Sequence, residues 1–339
     1  MQPTSTQFPS AGPILITGAN GFLVSKIVSQ SINSGMQVRA TDRMPLSLVS
    51  GLDYFYAEIL DPDSLATHLS DMAVLVHVAG LAHIFDKSKA SAAPFKAVNE
   101  TGTANVTRAA AKAGVKHFIL ISSVSVYGGS RDGGAEDSGC YPQGPYAESK
   151  YQAEQRAIEI SEASGMALTI LRLATLYGEG DPGNVARLMR SIDRGRFIWI
   201  GNGSNHKSLL HREDAAWASL AVMQSPAAGV NIYNVSAPPC TMREVVEGLA
   251  GALGKRIPSF GIPASLVRGI SGLFLGLPIT RLQTLGATAQ KWLADDVYDG
   301  IKFAQAFNFQ PRVNLTEGLH REVVWYRAEQ AQRDKNRKF

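Results

Sequence analysis

Short apolar runs punctuate the first half of the chain, and most are followed by a segment with a helical rhythm. Pro13-Ile14-Leu15-Ile16-Thr17, Met36-Gln37-Val38-Arg39-Ala40-Thr41-Asp42, Tyr54-Phe55-Tyr56-Ala57, Ala73-Val74-Leu75-Val76-His77-Val78-Ala79-Gly80, Lys116-His117-Phe118-Ile119-Leu120-Ile121 and Ala167-Leu168-Thr169-Ile170-Leu171-Arg172-Leu173 read as strands. Between them, helical patterns run to Ile32, from a cap at Asp61-Pro62-Asp63-Ser64-Leu65, from Phe95 to Ala113 (a span that carries Asn99), and onward from Tyr146. Strands alternating with helices at this spacing predict an α/β fold with a doubly wound parallel sheet.

Beyond Tyr177-Gly178 the alternation breaks. Residues 180–203 predict a short helix and a glycine-rich turn, Ile232-Tyr233-Asn234-Val235 a returning strand, and the chain from Pro238 onward is mainly helical with Pro and Gly breaks. The expected division is a leader at 1–11, a dinucleotide-binding domain at 12–177 with a returning strand near 230–236, a smaller, mainly helical substrate lobe at 178–229 and 237–326, and a basic tail at 327–339. Leu266, Ile270, Leu273, Phe274 and Leu277 fall at helical spacing, but the run is too short and too interrupted by glycine to span a bilayer. A core or lid helix is the leading reading there. Contact with a membrane surface or a partner is the alternative.

Composition narrows the class. The 339 residues are 45% apolar and 18% charged, as in an ordinary soluble globule with a sizeable core. The net charge of +4 is small and partly sits in Arg333-Asp334-Lys335-Asn336-Arg337-Lys338, which reads as a solvated tail, not a nucleic-acid site. Two cysteines, Cys140 and Cys240, make no disulfide framework, and no Cys/His cluster has metal-ligand spacing. Reduced cytoplasm is the expected compartment. Residues 1–11 lack the basic start and apolar run of a signal peptide and read as a disordered leader.

Within this frame several stretches carry chemistry. Gly18-Ala19-Asn20-Gly21-Phe22-Leu23-Val24 lies between a strand and a helix, where glycines let the backbone approach a pyrophosphate and the helix N-terminus offers N–H groups. Asp42 ends the second strand 24 residues after Gly18, near the spacing at which an acid binds ribose hydroxyls. Arg43 beside it could instead accept a 2′-phosphate or lie over the adenine. Val78, Ala79 and Gly80 would let a cofactor pass over the strand ends. Ser122, Ser123, Ser125 and Tyr127 follow the fifth strand, where open α/β sheets bind ligands. Tyr146 and Lys150 leave one face of a helix, so an ammonium would favour the phenolate of a proton-transferring tyrosine. Alone, that pair is more often a solvated helix face. His77 and His83 read as structural and receive no catalytic role.

Together these motifs resemble the extended short-chain dehydrogenase/reductase family, especially its nucleotide-sugar branch, over roughly residues 12–325. The likeness rests on Thr17-Gly18-x-x-Gly21, His77-Val78-Ala79-Gly80, Ser122-Ser123-x-x-Val126-Tyr127-Gly128 and Tyr146-x-x-x-Lys150, in the family's order. It implies a Rossmann-like domain with Ser123, Tyr146 and Lys150 as catalytic residues. Ser123 would hold the reacting oxygen, Tyr146 would move its proton, and Lys150 would bind the nicotinamide ribose and tune Tyr146. The implied cofactor set is Gly18, Asn20, Gly21, Phe22, Leu23, Asp42, Arg43, Glu58, Ile59, Val78, Ala79, Gly80, Tyr146 and Lys150. The implied substrate set is Ser125, Thr175, Asn184, Lys207 and Arg281.

The departures are specific. The family's third glycine is Val24, so the first helix must stand off or repack. Its adenine-contacting Asp is Glu58, and an Asn after the sixth strand is Thr175. Its Arg-Asp-Phe-x-His-x-x-Asp pattern appears as Lys207-Ser208-Leu209-Leu210-His211-Arg212-Glu213-Asp214. The Asp-Glu pair of its 4,6-dehydratases is Val124-Ser125, neither of which can act as a carboxylate acid.

The expected function is NAD-dependent epimerisation at C4 of a nucleotide-linked hexose, of the UDP-glucose/UDP-galactose type or an N-acetyl form, in polysaccharide biosynthesis. NAD is preferred over NADP through Asp42. The alternatives are an NAD(P)H-dependent 4-ketoreductase, a steroid-type hydroxyl dehydrogenase and a redox-inactive dinucleotide sensor. The expected partners are the nucleotide-sugar and a second copy in a homodimer, with no nucleic acid, no metal and no transmembrane span.

Overall fold

The computed structural model describes residues 12–47, 49, 51–82, 92–129, 134–225, 228–276 and 290–336. The chain divides into two compact units.

The first unit comprises residues 1–174, 212–235 and 299–310. Its seven-stranded sheet contains β1 (Ile14–Thr17), β2 (Val38–Asp42), β3 (Asp53–Tyr56), β4 (Val74–His77), β5 (His117–Ser123), β6 (Ala167–Leu173) and a last strand, Val230–Val235, numbered β11 because four short strands of the second unit precede it in the chain. The spatial order is β11-β6-β5-β4-β1-β2-β3, and every pairing is parallel. The order reverses between β1 and β4, so the crevice at their carboxyl ends is where such a sheet binds ligands. Residues of β1, β4 and β6 are buried throughout, as expected of strands covered on both faces.

Helix α3 (Thr103–Ala113) buries Val106 and Ala110 and ends at Gly114, whose φ of 78° closes the helix with N–H bonds to Ala110 and Ala111. These residues pack with Leu15, Leu75, Phe118, Leu120, Leu168 and Ile170. Phe118 is wholly buried, and full burial of one such side chain contributes about 1.5–3 kcal/mol.

Three expectations change here. The helix expected from Phe95 to Ala113 begins at Ala92 as α2 (Ala92–Phe95), passes through a π-helical Lys96–Gly102 and continues as α3. The helix expected after Asp61 is only a 3-10 turn at Ala66–His68. There Asp61 takes the N–H of Asp63 on Oδ1, and Ser64 Oγ donates to the carbonyl of Glu58, side-chain bonds that compete with a helical start. The third concerns the domain boundary. Helix α6 (Arg212–Met223), assigned from sequence to the lobe, belongs to the sheet-bearing unit because β11 is parallel to β6 and must be reached through a crossover. Arg212 donates to Ser25 Oγ at 2.8 Å and Glu213 pairs with Lys26 at 3.3 Å, both on α1 (Val24–Asn33). The short helix α9 (Ile301–Phe307) joins the same unit through Phe303 and Phe307 against Tyr233 of β11.

The second unit comprises residues 175–211, 236–298 and 311–339. It contains β7 (Thr175–Tyr177), α5 (Asn184–Asp193), β8 (Trp199–Ile200), β9 (His206–Lys207), β10 (Leu209–His211), β12 (Cys240–Thr241), α7 (Met242–Leu253), β13 (Gly261–Ile262), α8 (Ala264–Gly276) and α10 (Leu315–Asn336). Its core joins Val185, Met189, Phe197, Trp199, Val246, Leu249, Leu319 and Val323. Helix α7 opens on a capping box: Thr241 Oγ1 accepts from Glu244 N at 3.1 Å, and Glu244 Oε2 accepts from Thr241 N at 2.6 Å. The tail expected at 327–339 is helical as far as Asn336, anchored where Arg327 donates to the carbonyl of Leu253. The leader at 1–11 and Arg281 lie outside the described residues.

Candidate active site

The glycine turn is built for close approach. Gly18 has φ +80°, and a Cβ there would stand 3.0 Å from the backbone of Ala79. Gly21 N donates to Gly18 O at 2.9 Å, which folds the turn back before α1. Phe22 and Leu23 have N–H groups without an acceptor among the described residues, at the mouth of a ten-residue helix. Val24 is buried as the first residue of α1, with Cγ2 3.5 Å from where a Gly21 Cβ would lie, an ordinary contact. The helix therefore accommodates the valine by repacking it inward.

Asp42 lies beside the glycine turn. Its Oδ2 accepts from Asn20 N at 3.1 Å and its Oδ1 from Met44 N at 3.2 Å, which fixes the carboxylate beside the turn. Arg43 is exposed next to it. Glu58 Oε1 accepts from Leu60 N at 3.2 Å, so this carboxylate is bent toward its own turn, while Ile59 is buried. These residues fit a dinucleotide: free helix-terminal N–H groups for a pyrophosphate and a fixed carboxylate for a ribose diol.

The floor of the cradle comes from a polar relay that sequence reasoning missed. Thr17 Oγ1 accepts from the N–H groups of Val78 and Ala79, each at 3.2 Å, and contacts His77 Nδ1 at 2.8 Å. The threonine hydroxyl hydrogen therefore goes to Nδ1, and His77 carries its own proton on Nε2, 3.1 Å from Thr103 Oγ1. Burial, reinforced by the Lys150 charge, lowers the pKa of His77 to about 3. A neutral, fully bonded histidine is structural, as expected; His83 lies outside the described residues.

Tyr146 and Lys150 leave α4 (Pro145–Ser164) one turn apart. Proline at the first position suits a helix start, since its missing N–H would have had no intrahelical acceptor. Tyr146 lies beside Ser123, which sits at the end of β5 and caps the next turn by accepting from Ser125 N at 3.2 Å. The turn ends at Gly128 (φ +71°), where a Cβ would collide with the carbonyl oxygen of Tyr141 at 1.9 Å. Only glycine lets the loop leading to α4 cross so closely. The Ser125 hydroxyl is buried and has no partner among the described residues.

The electrostatics correct one expectation. Lys150 donates to the carbonyl of Ile121, and burial lowers its pKa to about 8 against the opposing Glu154 charge. Tyr146 is raised above its ordinary value because burial outweighs the Ser123 hydrogen bond. In this arrangement the phenol is not poised as a phenolate by the lysine.

Three further groups support the pair. Asn99, in the π-helical turn, donates to Leu81 O at 3.0 Å and to Ser149 Oγ at 2.9 Å, while its Oδ1 accepts from Leu81 N at 2.7 Å. Ser149 in turn donates to the carbonyl of Tyr146 at 2.8 Å. Glu154, one turn beyond Lys150, is fully buried and pairs with Arg172 of β6 at 2.7 Å, besides accepting from Ser122. Arg172 Nη1 donates to Tyr127 OH at 2.9 Å, and Tyr127 OH donates to Asn234 Oδ1 of β11 at 2.8 Å. The spacing Tyr146, Lys150, Glu154 was a visible signal for the glutamate; nothing local marked Arg172 or Asn234 as its partners.

In the second unit, the residues expected to bind substrate are placed as follows. Thr175 is exposed on β7 and Asn184 is exposed at the first position of α5. Lys207 is 8% exposed, and its ammonium donates to the carbonyls of Lys291 and Ala294 at 3.0 and 2.9 Å and pairs with Asp296 at 3.5 Å. It is an internal tie in this structure, because burial of a lysine demands such a full set of acceptors.

The N-acetyl-alpha-D-glucosaminyl-diphospho-ditrans,octacis-undecaprenol 4-epimerase of Escherichia coli O157:H7 is 28% identical over 331 residues, covering 92% of this chain and 94% of that protein. The UDP-glucose 4-epimerase of Vibrio cholerae is 30% identical over 260 residues, covering 75% of this chain and 79% of that protein. Among solved structures, MoeE5 in complex with UDP-glucuronic acid and NAD superposes with a TM-score of 0.73 at 25% identity, covering 94% of this chain and 100% of that one. The model of the NAD dependent epimerase/dehydratase family matches residues 14–236, the stretch that holds the glycine turn, Asp42, Ser123, Tyr146 and Lys150, and the chain belongs to that family.

Proposed function

We propose that the protein is an NAD-dependent epimerase acting at C4 of a hexose carried on a diphosphate, with a nucleoside diphosphate as the carrier. The observation that carries this is the placing of Ser123, at the carboxyl end of β5, beside Tyr146, with Lys150 one turn along the same helix. The Gly18 turn and Asp42 would hold NAD, which would supply reversible hydride acceptance at C4. Tyr146 removes the C4 hydroxyl proton and gives it back, and Ser123 holds the same oxygen through the exchange. Lys150 neutralises charge that develops on Tyr146 and offers its ammonium to the cofactor ribose. The orphaned Ser125 hydroxyl is a ready contact for a sugar hydroxyl. Val124 and Ser125 offer no carboxylic acid to expel a C6 hydroxyl, which argues against 4,6-dehydration.

A second reading changes only the carrier. The relative from Escherichia coli O157:H7, matched almost end to end, is named for a sugar on undecaprenyl diphosphate, which favours a polyprenyl diphosphate here too.

The test is product analysis. Freshly purified protein, denatured and chromatographed, should release NAD or NADH. It should interconvert UDP-glucose with UDP-galactose, or UDP-N-acetylglucosamine with UDP-N-acetylgalactosamine, without net change in cofactor absorbance. Activity only on the polyprenyl diphosphate forms would select the second carrier. Stoichiometric oxidation of added NADH by a 4-keto sugar, with no activity on either set of pairs, would replace the epimerase by a 4-ketoreductase using the same three residues.

A further inference from the structure

The second unit presents an apolar face with no acid on it. Strand β13 pairs in parallel with β8, Gly261 opposite Trp199, so Phe260 and Ile198 lie side by side one residue earlier. Phe260 is 79% exposed and Ile198 57%. Ile262 is also exposed, and α8 continues the surface with Leu266 and Ile270, four apart on one side of the helix and both exposed. Ala264 and Val267 are half-buried. Exposed large apolar residues elsewhere are more scattered along the chain, whereas five fall on or beside β8, β13 and the first turns of α8, and singly exposed residues are the ordinary case.

The chain around this face is mainly basic. From Gly248 to Ala294 the sequence contains five Lys/Arg and no Asp or Glu. Arg256 and Arg268 are exposed and form no ion pair among the described residues, and Arg194 and Arg196 are exposed just before Ile198 on the β8 side. The acid in this neighbourhood, Asp193, pairs with Lys255 at 3.6 Å and accepts from Tyr326 OH at 3.0 Å. Apolar side chains with unpaired arginines close to them in the chain match the acyl boundary and headgroups of an anionic bilayer. Among the described residues no helix is long and apolar enough to cross a membrane, so the contact is peripheral.

We propose that the face formed by Ile198, Phe260, Ile262, Leu266 and Ile270, with Arg194, Arg196 and Arg256 close to it in the chain, docks the protein on the surface of an anionic phospholipid bilayer. The proposal does not depend on which sugar carrier the active site accepts. Phe260 and the α8 residues enter the headgroup region, and the arginines pair with lipid phosphates.

Vesicle flotation of the full chain tests this. The protein should float with phosphatidylcholine vesicles containing roughly one-third phosphatidylglycerol at low salt, and remain behind with phosphatidylcholine alone. Added salt should release it. Arg196→Glu and Arg256→Glu should each weaken binding by about fivefold or more, because one basic residue near such a surface contributes about that factor. Phe260→Ser with Leu266→Ser should weaken it by about tenfold or more. Melting curves and cofactor titration should show all variants folded; if the serine pair misfolds, the two glutamate variants carry the test. Absence of flotation at low salt overturns the proposal, as does equal flotation of the folded variants. So does a wild-type dimer that the serine pair dissociates while neither form floats, since the face would then be an interface between copies.

Discussion

Glu322 offers a quantitative test of the second unit. The residue sits on α10 with no side-chain exposure. Its Oε2 accepts from Gly178 N at 3.2 Å, while Oε1 has no partner among the described residues. Asp181, itself buried and holding the N–H groups of Gly183 and Ala186, faces it, with Glu179 and Arg190 nearby. Burial first, then the Asp181 charge, raises the pKa of Glu322 from 4.5 to about 9. A carboxyl whose folded pKa lies above its unfolded one must be protonated to fold at neutral pH. Its contribution is fully present below about 4.5 and is lost progressively as pH rises toward about 9. Each pH unit in that window costs about 1.4 kcal/mol. Glu322→Gln keeps the acceptor for Gly178 and removes the titration. The variant should therefore gain on the parent by roughly 3 kcal/mol between about pH 5.5 and about pH 7.5. Urea unfolding of the full chain at both pH values, followed by fluorescence, measures the gain. A stability difference that does not change with pH would refute the placement of a neutral carboxylic acid at this position.

Other outcomes follow from the site. Tyr146→Phe should abolish turnover by about 10²–10⁴-fold while leaving cofactor affinity nearly unchanged, because the ring still packs near Phe95; near-normal rates would remove the tyrosine from its proton-transfer role. Asp42→Ala should narrow the preference for NADH over NADPH in a fluorescence titration, and tighter NADPH binding by the parent would shift the cofactor assignment to Arg43. Arg172→Met should destabilise the first unit by about 3–5 kcal/mol, since it strands a buried Glu154, and Glu154→Leu added to it should recover part of the loss; a single variant within about 1 kcal/mol of the parent would show that the pair is dispensable.

Most of the sheet was legible in the chain because its strands are short apolar runs, and runs of that kind have little choice but a two-sided burial. The glycine turn, Asp42 and the Tyr146–Lys150 pair were legible for a similar reason: each function is set by a short fixed spacing. What required three dimensions were relations between distant residues. The membership of α6 and α9 in the sheet-bearing unit follows from where β11 pairs, and a pairing partner leaves no local trace. Asn99 was only one residue of a long helical span until the π-helical turn joined it to Leu81 and Ser149. The sign of the Tyr146 shift was misjudged because charge proximity is visible as spacing, whereas desolvation depends on how many atoms from elsewhere in the chain surround the phenol. Lys207 likewise reads as a ligand-binding cation in a motif and becomes a structural tie only when the chain near Lys291 and Asp296 folds around it. Local spacing determined which residues could do chemistry, and tertiary burial decided their charge states and partners.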